Sequence, residues 1–266
     1  MSKKPKVIAV ASFKGGVGKT FMSVNLSYAL SMCGKTLLVD LDPQASSSKR
    51  YVGVINHKEL SGSESIFDKS NPHLSFTPAS IGGNRVPVEN LYISSSRSEL
   101  MTTADSVIRH GSNQYFLRRA IKRDTEDFDY VVIDSPGFEG VLSTNAIAAA
   151  DVIITPINLD FDSLDAAKLI IDKMHECMYD GDNFPEKFIC LNGYDPRQRD
   201  AIRDVNNKLS GEIYRLAFGD YMRIDIKATA SAKKSHGLEM LPIFVHRIGR
   251  SMPTINGILD LVKAVR

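Results

Sequence analysis

The segment VIAVASFKGGVGKT, residues Val7 to Thr20, combines a strand pattern with a glycine-rich turn. Its first part, 7–11, is apolar and partly β-branched, which is typical of a buried strand. Three glycines follow where the chain must turn sharply. Residues 21–32 then carry apolar side chains at helical spacing. The segment therefore predicts a strand, a glycine loop and a helix, in that order.

A loop of this composition is suited to hold a polyphosphate. Glycines let successive backbone N–H groups converge on phosphate oxygens, and the start of the next helix adds a positive dipole end. The Lys19 amine would neutralise the β- and γ-phosphates, and the Thr20 hydroxyl would bind Mg²⁺. The predicted nucleotide contacts are Gly15, Gly16, Val17, Gly18, Lys19, Thr20 and Phe21. The alternative, a glycine-rich turn that binds nothing, does not explain why spacing, lysine, hydroxyl and flanking elements agree.

Two further strand patterns end in carboxylates. The segment TLLVDL, 36–41, contains Asp40 and leads to Asp42, and the strand pattern at 130–133 leads to Asp134. In open α/β sheets, ligands bind at the carboxyl ends of parallel strands. We therefore expect an α/β fold with a doubly wound, mostly parallel twisted sheet, helices on both faces, and the nucleotide at the carboxyl edge. An alternative for the first two aspartates is that they only cap the turn that follows.

The motifs KGGVGKT, DLDPQ and VVIDSPG resemble the deviant Walker A, switch I and switch II segments of ParA-type (ParA/MinD) P-loop ATPases. The resemblance implies that Lys14 crosses a dimer interface and stabilises phosphate charge in the other subunit. It implies that Asp42 positions the attacking water, and that Asp40 and Asp134 lie at Mg²⁺ together with the loop hydroxyl. Lys14, Lys19 and Asp42 are therefore the expected catalytic residues.

Two positions depart from the family's pattern. Gly137, whose backbone N–H would sense the γ-phosphate, stands where the family more often has a second proline. Phe21 stands where the family commonly has a second threonine, so a hydroxyl contact to the α-phosphate is missing. Backbone N–H groups can still bind phosphate there, and we expect the site to remain competent.

The segment NGYDPRQRD, after a strand pattern at 187–191, resembles the family's adenine-binding loop. This resemblance implies that the Asn192 side chain meets the base edge, with Asp195 in the same loop. A GTPase would be expected to show N-K-x-D, with the aspartate binding guanine. Here Asn192 and Asp195 keep that spacing, but Gly193 replaces the lysine, which favours ATP.

Length and composition set the outer limits. With 266 residues, 43% of them hydrophobic, the chain can bury a substantial core, and we expect one domain over 1–266. No apolar run approaches the roughly 20 residues that a membrane span needs, and the start MSKKPK does not fit a signal peptide. Cys33, Cys177 and Cys190 form no C-x-x-C pair, as in a reduced cytosolic protein. We therefore expect a cytoplasmic location.

Positive charge is concentrated near the C-terminus. Residues 1–200 carry 22 basic and 25 acidic side chains, whereas 201–266 carry 11 basic and 6 acidic ones. In ParA-type proteins the corresponding segment contributes to a nonspecific DNA surface, where basic side chains neutralise phosphates. The resemblance implies phosphate contacts at Arg223, Lys227, Lys233, Lys234, Arg247 and Arg250. The alternative is an ordinary set of solvated surface cations.

Three other segments give weaker signals. Periodicity fades from Ser46 to about Thr103, which predicts surface connections with a short helix near 65–69 and a strand at 91–94. Residues 163–178 predict an amphipathic helix with Ser163 as its N-cap. The apolar stripe of 254–266 has no aromatic side chain, which favours packing on the core over membrane targeting.

Together, the resemblance implies a short-form ParA-type partition ATPase, without an N-terminal helix-turn-helix. ATP would drive formation of a homodimer that binds DNA nonspecifically and associates with the nucleoid. A ParB-like or adaptor protein would stimulate slow hydrolysis, and the cargo would be a plasmid, a chromosome region or a protein assembly. Two alternatives stay open: a MinD-like positioning ATPase on the membrane surface, and a small-molecule ATP-dependent enzyme on the same fold.

Overall fold

The computed structural model describes residues 4–52, 62–68, 70–81, 86–108, 114–178, 183–228, 242, 244 and 252–266. Within these ranges eight strands form one sheet. The strands are β1 Lys6–Val10, β2 Thr36–Asp40, β3 Thr77–Ile81, β4 Val86–Ser94, β5 Tyr130–Asp134, β6 Val152–Ile157, β7 Glu186–Tyr194 and β8 Met222–Lys227. Their spatial order is β3-β4-β2-β5-β1-β6-β7-β8. Every neighbouring pair is parallel except β3 with β4, so the sheet is mostly parallel as predicted.

Helices cover both faces of this sheet. They are α1 Lys19–Ser31, α2 Ser46–Val52, α3 Glu99–Ile108, α4 Phe116–Asp124, α5 Val141–Ala149, α6 Phe161–Cys177, α7 Arg199–Leu209, α8 Glu212–Phe218 and α9 Met252–Val265, with a 3₁₀ helix at Ser63–Phe67. Buried side chains of α1, α2 and α9 pack on one face, and those of α3 to α8 pack on the other. The fold is therefore the doubly wound α/β sheet that the sequence predicts.

The central strand β1 shows why its sequence is apolar throughout. Val7 and Ala9 belong to the core on one face, while Ile8 and Val10 belong to the core on the other. Successive side chains of a strand point to opposite faces, so a strand covered on both faces must be apolar at every position. The same alternation holds in β5, where Val131 and Val132 enter different cores.

The described parts of the segment 46–103 contain more regular structure than the sequence pattern predicts. The expected short helix is present as the 3₁₀ helix, and the expected strand is the end of β4. However, α2, β3 and α3 also lie in this segment, so its description as surface connections is wrong. Helix α2 begins with three serines, and two of them, Ser47 and Ser48, are fully buried. Buried serines do not register in an apolar periodicity, which explains the error.

Two further expectations concern helix ends. Helix α6 begins at Phe161, and its N-cap is Asp160, whose side chain accepts a hydrogen bond from the Ser163 N–H, so Ser163 is not the cap. At the C-terminus, α9 packs against α1 and β8, and its buried side chains are Ile255, Ile258, Leu261, Val262 and Val265, whereas Leu259 is exposed. This packing confirms that the apolar stripe covers the core. Among the described helices, none is long and apolar enough to cross a bilayer.

The two-sided burial of β1 gives a test of the fold. Replacing Ile8, which is fully buried, by alanine removes apolar area and leaves a cavity, and should lower the free energy of unfolding by about 3 kcal/mol. The control Leu169→Ala acts on an aliphatic side chain that is 51% exposed, and should cost less than about 1 kcal/mol. Denaturant unfolding followed by circular dichroism measures both; equal losses would contradict the placement of β1.

Candidate nucleotide site

The register of the sheet brings three loops together at its carboxyl edge. Val10 of β1 is aligned with Asp134 of β5, and Asp134 is aligned with Asp40 of β2. Strand β5 lies between the other two. The loops that follow these three strands contain the glycine motif, the DLDPQ motif and the SPG motif. The topology therefore places all three sequence motifs side by side, as expected for strand ends in an open α/β sheet.

The glycine loop adopts backbone conformations that only glycine accepts easily. Gly16 has φ of 76° and Gly18, the N-cap of α1, has φ of 93°. These left-handed values turn the loop sharply into the helix. Next to the loop, the Asn192 side-chain amide donates a hydrogen bond to the Val17 carbonyl at 2.9 Å. Asn192 at the end of β7 therefore contacts the P-loop backbone directly.

Lys19 is the buried cation of the site. It is 7% exposed, and its Nζ donates to the Lys14 carbonyl at 2.9 Å. Burial lowers the pKa of Lys19, and the nearby charges of Asp134 and Asp42 act in the opposite direction. On the other side of the amine lies Gly137, where an added Cβ would stand 3.1 Å from Nζ. A side chain at residue 137 would therefore crowd the lysine amine.

The carboxylate of Asp134 is fully buried and surrounded by hydroxyl donors. Ser47 donates to Oδ2 at 2.6 Å, Ser23 lies 3.1 Å from Oδ1, and Thr20 also hydrogen-bonds this carboxylate. Burial raises the pKa of Asp134, and these hydrogen bonds oppose the increase. Asp134 and Thr20, the predicted metal ligands, are thus in contact.

Asp40 is fully buried as well, but its oxygens are directed to the protein. Ser48 donates to Oδ2 through its N–H at 2.8 Å and its hydroxyl at 2.7 Å, and the Asp42 N–H donates to Oδ1 at 3.1 Å. Burial, followed by the charge of Asp134, raises the pKa of Asp40 to about 8. These contacts favour a supporting role over direct metal ligation, and a metal role for Asp40 stays a prediction.

Asp42 lies at the surface end of the same segment. Its carboxylate accepts a hydrogen bond from the Gln44 N–H at 2.9 Å, and its carbonyl accepts one from the Ala45 N–H at 2.8 Å. Asp42 therefore caps the turn, which is the alternative that its sequence position also allowed. Its charge acts on both Lys19 and Asp134, so the turn presents the carboxylate to the site.

Lys14 points away from the buried cluster. Its Nζ forms an ion pair with Asp160 Oδ1 at 2.6 Å and lies 3.8 Å from Asp162 Oδ2. Although desolvation opposes it, hydrogen bonds from Lys14 and Ser163 lower the pKa of Asp160. Lys14 is thus bound in cis to the start of α6. Its expected action in trans stays a prediction.

Three residues predicted to contact a nucleotide or DNA have side chains that contact other parts of the protein instead. Phe21 is part of α1 and its side chain packs in the core, so only its backbone could contact a phosphate. Asp195 pairs with Arg197 at 2.6 Å, which together with its hydrogen bonds lowers the pKa of Asp195 to about 2. Arg223 pairs with Asp225 at 2.8 Å.

Lys227, another residue predicted to contact DNA, lies at the end of β8, and its side chain is partly buried. Lys233, Lys234, Arg247 and Arg250 lie outside the described residues. The DNA roles of all these residues therefore stay predictions.

Sequence reasoning missed three residues of the site. Ser47 and Ser48 hydrogen-bond the two buried aspartates, and Asp160 binds Lys14. Asp160 lies three residues after the end of β6. Ligands bind at the carboxyl ends of parallel strands, so this position could have identified Asp160 from the sequence. The serines gave no such signal, because nothing in their spacing distinguishes them from surface serines.

The donor set fits a magnesium ion. Mg²⁺ prefers hard oxygen ligands and is usually held by one or two carboxylates together with water and substrate phosphates. Asp134 and the Thr20 hydroxyl provide such oxygens next to the P-loop. Within the described ranges, no three His, Cys, Asp or Glu side chains are arranged to hold a metal by themselves. A magnesium ion here would therefore depend on phosphate oxygens as well as on the protein.

The fold and the site define a P-loop nucleotide-binding protein. A family model described as an AAA domain matches residues 5–181, more than half of the chain. The chain therefore belongs to this family, and it is similar to chromosome-partitioning proteins named Soj and ParA. The match includes the three motifs of the site, whereas Asn192, Asp195 and the basic C-terminal residues lie beyond it.

Known relatives are similar over part of the chain, and solved structures over nearly all of it. The sporulation initiation inhibitor protein Soj of Bacillus subtilis is 29% identical over 170 residues, 63% of this chain and 64% of Soj. The chain spans about three fifths of the length of the curated relatives it matches.

Two solved structures share the fold at low identity. An ATP complex of McdA from Cyanothece has a TM-score of 0.77 at 19% identity, covering 99% of this chain and 96% of McdA. A structure of a putative plasmid partition protein of Borrelia burgdorferi bound to AMPPNP has a TM-score of 0.75 at 20% identity. The match covers 98% of this chain and 99% of the Borrelia chain. At these identities the likeness shows the fold.

The left-handed conformation of Gly18 at the start of α1 gives a test of the loop. In Gly18→Ala, the new Cβ would stand 2.0 Å from Asn192 Nδ2 on a backbone with positive φ, so the free energy of unfolding should fall by about 2 kcal/mol or more. The control Gly140→Ala meets nothing closer than 3.6 Å and should cost less than about 1 kcal/mol, the loss expected when alanine replaces the glycine N-cap of α5. Adding Asn192→Ala to Gly18→Ala should recover only part of the loss, because the backbone strain remains. Equal unfolding midpoints for the two single variants would refute this geometry.

Proposed function

We propose that the chain is a Mg²⁺-dependent ATPase that works as a nucleotide-driven dimerisation switch, with the ATPase domain spanning residues 1–266. The observation that carries this proposal is the buried Lys19 amine, enclosed by the glycine loop, the charges of Asp134 and Asp42, and Gly137. A buried amine at a helix N-terminus is suited to bind a phosphate. The likeness to the ParA and Soj proteins supports ATP as the nucleotide.

The residues of the site have distinct tasks in this proposal. Lys19 leaves the Lys14 carbonyl to bind the β- and γ-phosphates, and the glycine-loop N–H groups bind the remaining oxygens. Thr20 and Asp134 would hold Mg²⁺, which neutralises phosphate charge when bound. Asp42, at the turn after β2, orients the attacking water. Gly137 lies close enough to Lys19 for its N–H to respond to the terminal phosphate.

Lys14 completes the site of a second subunit. To do so, Lys14 must break its ion pair with Asp160. Both side chains are partly exposed, so breaking the pair costs about 1 kcal/mol or less. Two protomers then face each other across the nucleotides, each donating one lysine to the other's phosphates. Because hydrolysis requires this assembly, turnover by the free protein is slow.

The ATP-bound dimer binds DNA without sequence preference in this proposal, and a ParB-like or adaptor protein stimulates hydrolysis and release. The excess of basic residues in 201–266 supports a phosphate-binding surface. The switch acts in the cytoplasm on nucleoid DNA and positions a plasmid, a chromosome region or a protein cargo. The burial of the apolar face of α9 weighs against membrane targeting by that helix.

The dimer switch is tested by sedimentation velocity with and without Mg²⁺ and ATP. Wild-type protein should shift from monomer to dimer with ATP. Lys14→Ala should bind ATP but stay monomeric and lose hydrolysis by about 100-fold or more, because the charge donated in trans is absent. Lys19→Ala should lose ATP binding, and Lys168→Ala, which removes a surface lysine of α6, should behave as wild type. A Lys14→Ala protein that dimerises and turns over normally would overturn the assignment.

The DNA surface is tested by charge reversal. Lys233→Glu combined with Lys234→Glu should weaken binding to every duplex and reduce the slope of log affinity against log salt, because phosphate contacts release counterions. The control reverses Lys122 and Arg123, which are exposed on α4. Fluorescence anisotropy with two unrelated duplexes over a salt series gives both quantities. A larger effect of the control pair would place the surface elsewhere.

A further inference from the structure

We infer that Ser47 is a positioning residue that links the metal-binding carboxylate Asp134 to the segment carrying Asp42. This inference rests on the proposed function and deepens it. Ser47 is the second residue of α2, and its hydroxyl donates to Asp134 Oδ2 at 2.6 Å. Both side chains are fully buried. A short hydrogen bond to a buried carboxylate is among the stronger ones and has a defined direction.

The two oxygens of Asp134 face different parts of the molecule. Ser23 of α1 lies 3.1 Å from Oδ1, whereas Ser47 of α2 contacts Oδ2. The carboxylate is therefore held between the helix that follows the glycine loop and the helix that follows the DLDPQ motif. Removing the Ser47 hydroxyl would free one side of the carboxylate while leaving the Ser23 contact in place.

Helix α2 is fixed to the strand ends at a second point. Ser48 donates to Asp40 through its N–H and its hydroxyl, and the Ser96 N–H donates to the Ser48 hydroxyl at 2.8 Å. The adjacent serines thus bind the two carboxylates that are aligned in the sheet, Asp134 and Asp40. A shift of either carboxylate would displace the start of α2.

The start of α2 is connected to Asp42 by one tight turn. The Ala45 N–H donates to the Asp42 carbonyl at 2.8 Å, and the Lys49 N–H donates to the Ala45 carbonyl at 3.0 Å. Ala45 itself has φ of 53°, a left-handed conformation that an alanine adopts only when its surroundings impose it. This turn transmits the position of α2 to Asp42. Ser47 therefore orients Asp134 and, through α2, the water-positioning carboxylate.

The experiment measures Mg²⁺ and nucleotide binding separately. In one sample, a fluorescent ATP analogue is titrated into the protein in the presence of EDTA. In a second sample without EDTA, Mg²⁺ is titrated into the protein with the analogue bound. Ser47→Ala should raise the half-saturating Mg²⁺ concentration about tenfold, as expected when an oriented metal ligand loses its hydrogen-bond partner. Nucleotide affinity in EDTA should change by less than about twofold, because the P-loop is untouched. Hydrogen exchange in residues 40–52, with nucleotide and Mg²⁺ bound, should be faster than in wild type.

The controls separate positioning from a general packing role. Ser47→Thr keeps the hydroxyl and should restore Mg²⁺ half-saturation to within about threefold of wild type, whereas Ser46→Ala, one residue earlier in α2, should leave it unchanged. If the threonine variant melts early, Ser47→Gly serves as a second hydroxyl deletion and should match Ser47→Ala.

The outcomes also separate this inference from the proposed function. Wild-type Mg²⁺ half-saturation in Ser47→Ala, or equal loss in Ser46→Ala, would overturn the positioning role alone. Failure of the wild-type protein to bind the ATP analogue, with or without Mg²⁺, would overturn the proposed function itself.

Discussion

The site depends on the register in which β1, β5 and β2 pair. That register places Asp134 between the glycine loop and the Asp42 turn. Asp134 thereby lies near the Lys19 amine, whose charged form burial disfavours. A buried lysine without compensating charge is costly. Lys19 is tolerated because Asp134 and Asp42 lie near it and because the Lys14 carbonyl accepts its hydrogen bond. The buried amine therefore depends on these two carboxylates and on the Lys14 carbonyl.

The internal contacts of the loops suggest how a ligand could act on distant parts of the chain. The P-loop contacts β7 through Asn192, the loop after β5 through Gly137, and α6 through the ion pair of Lys14. A phosphate bound by Lys19 would compete with the Lys14 carbonyl and so disturb the residue that pairs with Asp160. One local exchange of hydrogen-bond partners would then reach a helix start beyond the loop itself, which is what a switch between two states requires.

The sequence predicted what depends on local chemistry and missed what depends on tertiary contacts. Apolar runs identified β1, β2 and β5 because strands covered on both faces must be apolar throughout. The glycine and aspartate motifs were found because they follow such strands. Helix α2 was missed because its buried serines are held by Asp40 and Asp134, partners far away in sequence. The pairing of Arg223 with Asp225 likewise depends on side-chain geometry that a charge count does not contain.

The last helix also has a bearing on truncation experiments. Helix α9 packs against β8 and against α1, the helix that begins with Lys19. A shortened protein that lacks α9 would expose apolar side chains of α1 such as Met22 and Leu26, which share its core. If such a protein no longer bound nucleotide or a partner, the cause could be a destabilised α1. The result would then not show that α9 itself binds a membrane or a partner. Point substitutions on the solvent side of α9, at Leu259 or Lys263, leave that support intact and are the cleaner probe.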